Sequence, residues 1–187
     1  MCSSDLMGLR NTATEWGTLA KGFHWLGAVL TIFLVAFGWW MIHVAERAER
    51  LANFGIHASI GYDLLLLLVL RLCWRAIDRG TALPADFKAW EKGAAHLGHF
   101  LLYVLLLAVS VTGWMIVSSA RRPIDASLLG FIPLPLLDRA GDKAFHDLAE
   151  DVHRWLSYTL LVLIVVHIVA ALRHHYVKKN DILRRML

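Results

Sequence analysis

Four apolar stretches, each close to the length that crosses a lipid bilayer, constrain this chain more than any other feature. They run over residues 23–42, 55–75, 96–118 and 149–172, and a spanning helix needs about 20 residues. No water is available in hydrocarbon, so such a segment must satisfy its backbone N–H and C=O groups internally, which selects the helix. The expected fold is therefore all-α, a transmembrane four-helix bundle. Of the 187 residues 58% are hydrophobic and 18% charged, a charged share well below the roughly 25% of soluble domains, and the mean hydropathy is +0.54. The net charge of +4 does not point to nucleic acid, because the basic residues gather at the ends of the apolar runs. Trp25, Trp39, Trp40, Trp74, Trp114 and Trp155 sit near run ends, as in an interfacial aromatic belt.

Basic residues orient the bundle. Arg10, Lys21, Arg71, Arg75, Arg79, Lys88, Lys92, Arg173, Lys178, Lys179, Arg184 and Arg185 lie to one side. Only Arg47, Arg50, Arg121, Arg122, Arg139 and Lys143 lie to the other. The richer side is cytoplasmic by the positive-inside rule, so both termini are expected inside. Cys2 and Cys73 then share the reducing side and form no disulfide framework. No C-x-x-C-H is present, which removes covalent c-type haem. The first apolar run starts late and lacks a small-residue cleavage site, so it reads as a span and not a signal peptide. The opening MCSSDL carries no readable pattern, and Met7 is an alternative start. The expected organisation is an N-terminal cytoplasmic segment (1–22), a transmembrane domain (23–175) and a basic tail (176–187). Residues 119–148 form the long outer loop, broken by Pro123, Pro133 and Pro135. Its LLGFIPLPLL stretch is too short to span and rests on, or dips into, the outer interface.

Ionisable residues inside a membrane are candidates for function by default. His153 and His167 stand fourteen residues apart in the fourth span, a step that misses four helical turns by about 40° and rises roughly 21 Å. Both rings therefore leave one face, near opposite sides of the membrane. His57 starts the second span at the outer level and His24 the first at the inner level. Two levels follow, His57 with His153 and His24 with His167. Axial imidazoles from facing helices suit haem iron, and a six-coordinate iron carries electrons without an open position. Zinc ligands would converge at one depth.

Arg71 follows His57 by the same fourteen residues, which places it on the His57 face at the inner level. There it can fork onto a haem propionate, and Arg154 beside His153 can do likewise outside; both can instead snorkel to headgroups. His96 and His99 open the third span on the inner side. They compete with His24 for the inner haem, line an inner quinone or propionate region, or cap the helix. His43, His146, His174 and His175 fall in or beside loops and receive no ligand role. Asp63 within the second span has no assigned role. Gly27, Ala28, Ala58, Ser59, Gly61, Gly98 and Gly113 allow close approach of backbones or of a flat macrocycle.

HWL (24–26), IHASIG (56–61) with LLVLRLCWR (67–75), AHLGH (95–99), HRWLSY (153–158) and VVHIVAALRHHYVKKNDILRRM (165–186) together resemble the bacterial cytochrome b561 family. These are small four-helix dihaem proteins similar to the cytochrome b subunits of hydrogenases and formate dehydrogenases. The resemblance covers about residues 22–186 and implies a multi-pass protein of a bacterial inner membrane. It implies two non-covalent b-type haems held by His24, His57, His153 and His167, and exchange with ubiquinone or menaquinone near the inner haem. It also implies one of two roles. The chain is a stand-alone oxidoreductase moving electrons from a small anion such as superoxide to quinone, or an anchor relaying electrons from a docked redox subunit. Arg121 and Arg122 would steer an anion, whereas the apolar stretch 128–137 would serve docking. A haem-free scaffold for a metal or for protons is the third class.

Overall fold

All four apolar stretches are helices, and each helix outruns its apolar stretch. The computed structural model describes residues 8–46, 48–78, 80–81 and 87–187. Arg47, Arg79, Cys2, the MCSSDL segment and Met7 lie outside the described residues. Helix α1 spans Thr18–His43, α2 Arg50–Ile77, α3 Ala89–Ser119 and α4 Lys143–Tyr176. Each is long and apolar enough to cross a membrane. At 34 residues, α4 is about 51 Å long, so polar turns project beyond a hydrocarbon core of about 30 Å. Hydropathy marks the part of a helix that lies in lipid, not where its hydrogen bonds stop. That corrects two boundaries. The connection between α3 and α4, called outer after the expectation from the basic residues, is 120–142, shorter than the expected 119–148, and His146 belongs to the start of α4 instead of a loop.

Helix α1 packs on α2, α4 packs on α3, and α2 against α3 joins the two pairs. Helix α4 stands off from α1 and α2, leaving the interior between them to side chains. Leu34, Tyr62, Leu64, Leu68, Val117 and Leu160 form the buried core. The other faces, with residues such as Val29, Phe100 and Val162, are exposed apolar surface suited to lipid.

The outer connection folds onto α2. Strands β1 (Ser127–Leu128) and β2 (Ile132–Pro133) pair antiparallel, and the turn between them has positive φ at Leu129 and Gly130. Three small or polar residues of α2, four apart, receive this segment. Gly55 lies so close that a Cβ there would stand 2.3 Å from the Asp125 carbonyl oxygen. Ser59 Oγ accepts from Ser127 N at 3.0 Å. Asp63 Oδ1 accepts from Leu129 N at 2.8 Å, holding a leucine in the left-handed region that it otherwise avoids. Asp63 thus supports the hairpin, which runs along the outer half of α2. Trp114 Nε1 donates to the Pro135 carbonyl at 2.9 Å and ties the same connection to α3.

At the opposite end the described N-terminal residues and the C-terminal tail fold against the bundle. Asn11 N donates to Asp78 Oδ2 at 2.9 Å, and the Trp16 ring lies against Gly80. Buried Glu91 accepts from Lys178 Nζ at 2.6 Å and, from α3, pins the C-terminal tail. His174 stacks on Phe87 at 4.4 Å, and Trp25 Nε1 donates to the Met186 carbonyl at 2.7 Å.

Candidate cofactor site

Two helices carry ladders of residues spaced by seven. On α4 these are His146, His153, Leu160 and His167; on α2 they are Arg50, His57, Leu64 and Arg71. Seven residues fall about 20° short of two turns and rise about 10 Å, so each ladder keeps to one face. The ladders meet across the interior. At the outer level the His57 and His153 ring centroids are 6.4 Å apart. At the inner level those of His24 and His167 are also 6.4 Å apart. Between the levels Leu64 and Leu160 are 4% and 2% exposed, an apolar layer with nothing to coordinate. With metal–imidazole bonds of about 2 Å, two rings on opposite sides of one ion stand about 6 Å apart between centroids. Both pairs fit that arrangement. Among the described residues no three or more His, Cys, Asp or Glu side chains converge on a site for a metal ion.

The outer pair is set for ligation by its neighbours. His153 Nδ1 lies 3.0 Å from the Val109 carbonyl oxygen and 3.1 Å from Thr112 Oγ1. A carbonyl only accepts, so Nδ1 carries the proton and Nε2 is bare. Thr112 Oγ1 donates to the Ala108 carbonyl at 2.9 Å, which leaves its lone pair to the His153 N–H. Opposite, His57 Nδ1 is buried with no partner among protein atoms. Glycines make room for both rings: a Cβ on Gly38 would lie 3.2 Å from His57 Cε1, and one on Gly113 3.4 Å from His153 Cε1. Phe37 stacks on His57 at 6.2 Å.

The inner pair is arranged differently. Arg71 Nη2 lies 3.2 Å from His24 Nδ1. A guanidinium only donates, so His24 accepts at Nδ1 and holds its proton on Nε2, the opposite tautomer to His153. The guanidinium also lies 5.2 Å from the Tyr103 ring centroid. His99 comes within 5.4 Å of His167, closer than His24 does. His96, one turn earlier, is exposed and makes no ring contact with this group. Arg154 is drawn to Glu150 and Asp151 of its own helix, at 3.5 and 3.3 Å. Arg121 and Arg122 are exposed in the outer connection.

Thr112 and Gly38 join the site, and Arg50 opens the α2 ladder, without having been singled out from the sequence. For Arg50 a signal existed: it precedes His57 by seven residues. Its place before the apolar stretch made it read as an outer loop charge. Thr112 carries no such mark, because hydroxyls on apolar helices usually return to their own backbone.

The haem ligands expected from the chain are thus grouped in pairs of the right span, with a bare nitrogen at His153 and glycine-made space at the outer level. A model of the prokaryotic cytochrome b561 family matches residues 15–187. Cytochrome b561 homolog 2 of Escherichia coli (strain K12) is 35% identical over 97% of this chain and 95% of its own length. The probable superoxide oxidase CybB of Yersinia pestis is 27% identical over 92% of this chain and 96% of its own length. Cytochrome b561 homolog 1 of Escherichia coli (strain K12) is 28% identical over 70% and 72%, respectively.

Proposed function

Because the chain belongs to the prokaryotic cytochrome b561 family, and is therefore a b-type membrane cytochrome of electron transfer in a bacterium, we propose that it holds two haems and passes electrons from an outer donor to quinone. His57 and His153 are the ligands of the outer haem, His24 and His167 those of the inner. The observation that carries this is the pair of equal 6.4 Å ring separations at two depths. The Leu64–Leu160 layer that parts them adds support.

Held by these histidine pairs, haem would supply one-electron chemistry. The chain's own residues do the rest. Val109 and Thr112 hold His153 in the tautomer that presents Nε2. Arg71 leaves His24 when a carboxylate of stronger attraction enters the inner level, and the His24 proton then moves to Nδ1. His96 and His99 line the inner end, where quinone exchanges and protons are taken up. The inner end faces the cytoplasm, and the membrane is the inner membrane.

The donor proposed is superoxide, supported by the name of the Yersinia pestis relative, a probable superoxide oxidase. Two superoxide ions each lose one electron and leave as dioxygen. One quinone gains the two electrons with two protons and leaves as quinol. A second reading, an anchor for a docked redox subunit, is favoured by the exposed Leu129 and Phe131 of the hairpin and Leu136 just after it. The deciding experiment is a haem-to-protein ratio with a reduced-minus-oxidised spectrum on detergent-purified protein, followed by exposure to superoxide. Two b haems per chain, reduced by superoxide and reoxidised by ubiquinone, are expected. Two haems that superoxide leaves oxidised would favour the anchor, and no haem would leave the scaffold reading.

A further inference from the structure

We propose that Arg50 and Asn53 form an oxyanion site at the outer mouth of the bundle, directly beyond the His57–His153 level, and that its ligand is a carboxylate of the outer haem. This rests on the dihaem reading. Arg50 Nε and Asn53 Nδ2 are both buried and have no hydrogen-bond partner, a state that buried donors rarely occupy unless a ligand completes them. The guanidinium is anchored by Nη2 to the Ile42 carbonyl at 3.3 Å, which leaves its Nε edge unused. Arg50 and Asn53 lie seven and four residues before His57, within about 60° of each other on the helix. They therefore flank the face that His57 turns to His153. Arg50 opens the 28-residue α2, whose N-cap Glu49 makes no side-chain cap and whose first turn has no acidic residue.

His57 and His153 face each other between two levels of the bundle. On one side lie Leu64 and Leu160, both buried, where a carboxylate would suffer a large desolvation penalty. On the other, one heptad outward, lie Arg50 and Asn53, which would receive the carboxylates of a haem held by the pair. On the opposite wall at this level is His146, whose Nδ1 lies 3.0 Å from Ser119 Oγ. Arg154, the neighbour of His153, is turned to Glu150 and Asp151 instead. The same oxyanion chemistry also suits a free anionic reductant, so the test separates the two sources.

Arg50→Gln, Arg50→Lys and Asn53→Leu are compared with the unaltered protein for haem content and for the midpoint potential of the outer haem. Rates of reduction by dithionite, an anion, and by hexaammineruthenium(II), a cation, are read alongside. A positive charge beside the haem edge favours the more negative, reduced state. Arg50→Gln is therefore expected to lower the outer midpoint potential or lose outer haem severalfold, with Arg50→Lys intermediate. Unchanged haem content and potential, with a severalfold loss of dithionite rate alone and a flatter salt dependence, would keep the oxyanion site but assign it to the free reductant. Asn53→Leu leaves the Ile42 contact intact and keeps the test open should Arg50→Gln fail to fold. If Arg50→Gln and Asn53→Leu both match the unaltered protein in haem content, potential and the two rates, the site is overturned, and Arg50 only caps α1. An unaltered protein free of haem overturns the dihaem reading itself.

Discussion

Thr112 shows how much of the site depends on single hydrogen bonds. Its hydroxyl and the Val109 carbonyl share the His153 N–H, and partners of this kind raise the basicity of the nitrogen that meets the metal. A more basic ligand favours the oxidised iron. Thr112→Val, which keeps the shape and removes the acceptor, should keep both haems and raise the midpoint potential of the outer one; Thr112→Ser should restore it. A redox titration resolves this, and a potential unmoved by Thr112→Val would reduce Thr112 to packing. The ligands have a blunter test. His153→Ala should lose the outer haem and His167→Ala the inner, read as half the haem per chain. Loss of the inner haem in His99→Ala but not in His24→Ala would move that ligand to α3, the alternative raised by the 5.4 Å contact of His99 with His167. The alignment of His153 with His167 was legible in the sequence because a fourteen-residue step is arithmetic on one helix, and the depths of His57 and His24 followed from where their spans start. Thr112 was not, because its partner lies 41 residues away on another helix and no periodicity links them.

At the scale of elements, the apolar stretches located the helices but not their ends. The ends are set by polar contacts that hydropathy ignores. Helix α4 starts where Asp142 accepts from Phe145 N at 3.1 Å, and that N–H, with help from Arg139, holds the Asp142 carboxyl below its usual range. A carboxylate with a lowered folded pKa stabilises fully above the unfolded value, about 3.9, and the contribution is lost as pH falls through the folded value. Asp142→Ala should therefore melt below the unaltered protein at pH 7, and the gap should narrow steadily as the pH is taken below 4. Melting curves in detergent would show it, and a gap independent of pH would mean that Asp142 does not cap as the carboxylate. The hairpin on α2 was hidden for a different reason. Asp63 accepts from a backbone N–H 66 residues on, and any residue has a backbone N–H. The sequence could show only that a carboxylate stood in an apolar helix and that a short apolar stretch lay in the outer connection. It could not show that the two answer each other.

For the whole molecule, the decisive quantity is direction. The described parts of both termini and the helix ends near Glu91 lie at one end of the bundle, with the His24–His167 level nearest to them. The His57–His153 level lies toward the hairpin. Which end meets the cytoplasm decides whether a donor arriving from outside meets the Arg50 level first, and whether quinone takes up protons from the cytoplasm or releases them beyond it. The excess of basic residues at the terminal end argues for the cytoplasm there. Exposed Arg122 and Val177 report the two ends directly. In a chain with Cys2 and Cys73 replaced by serine, a membrane-impermeant maleimide should label Arg122→Cys in intact spheroplasts. It should label Val177→Cys only in inverted vesicles. The reverse pattern would turn the bundle over. The haem sites would stand unchanged, but an outer donor would then meet the Arg71 level first, and the proposed flow from outer anion to inner quinone would have no path in that order.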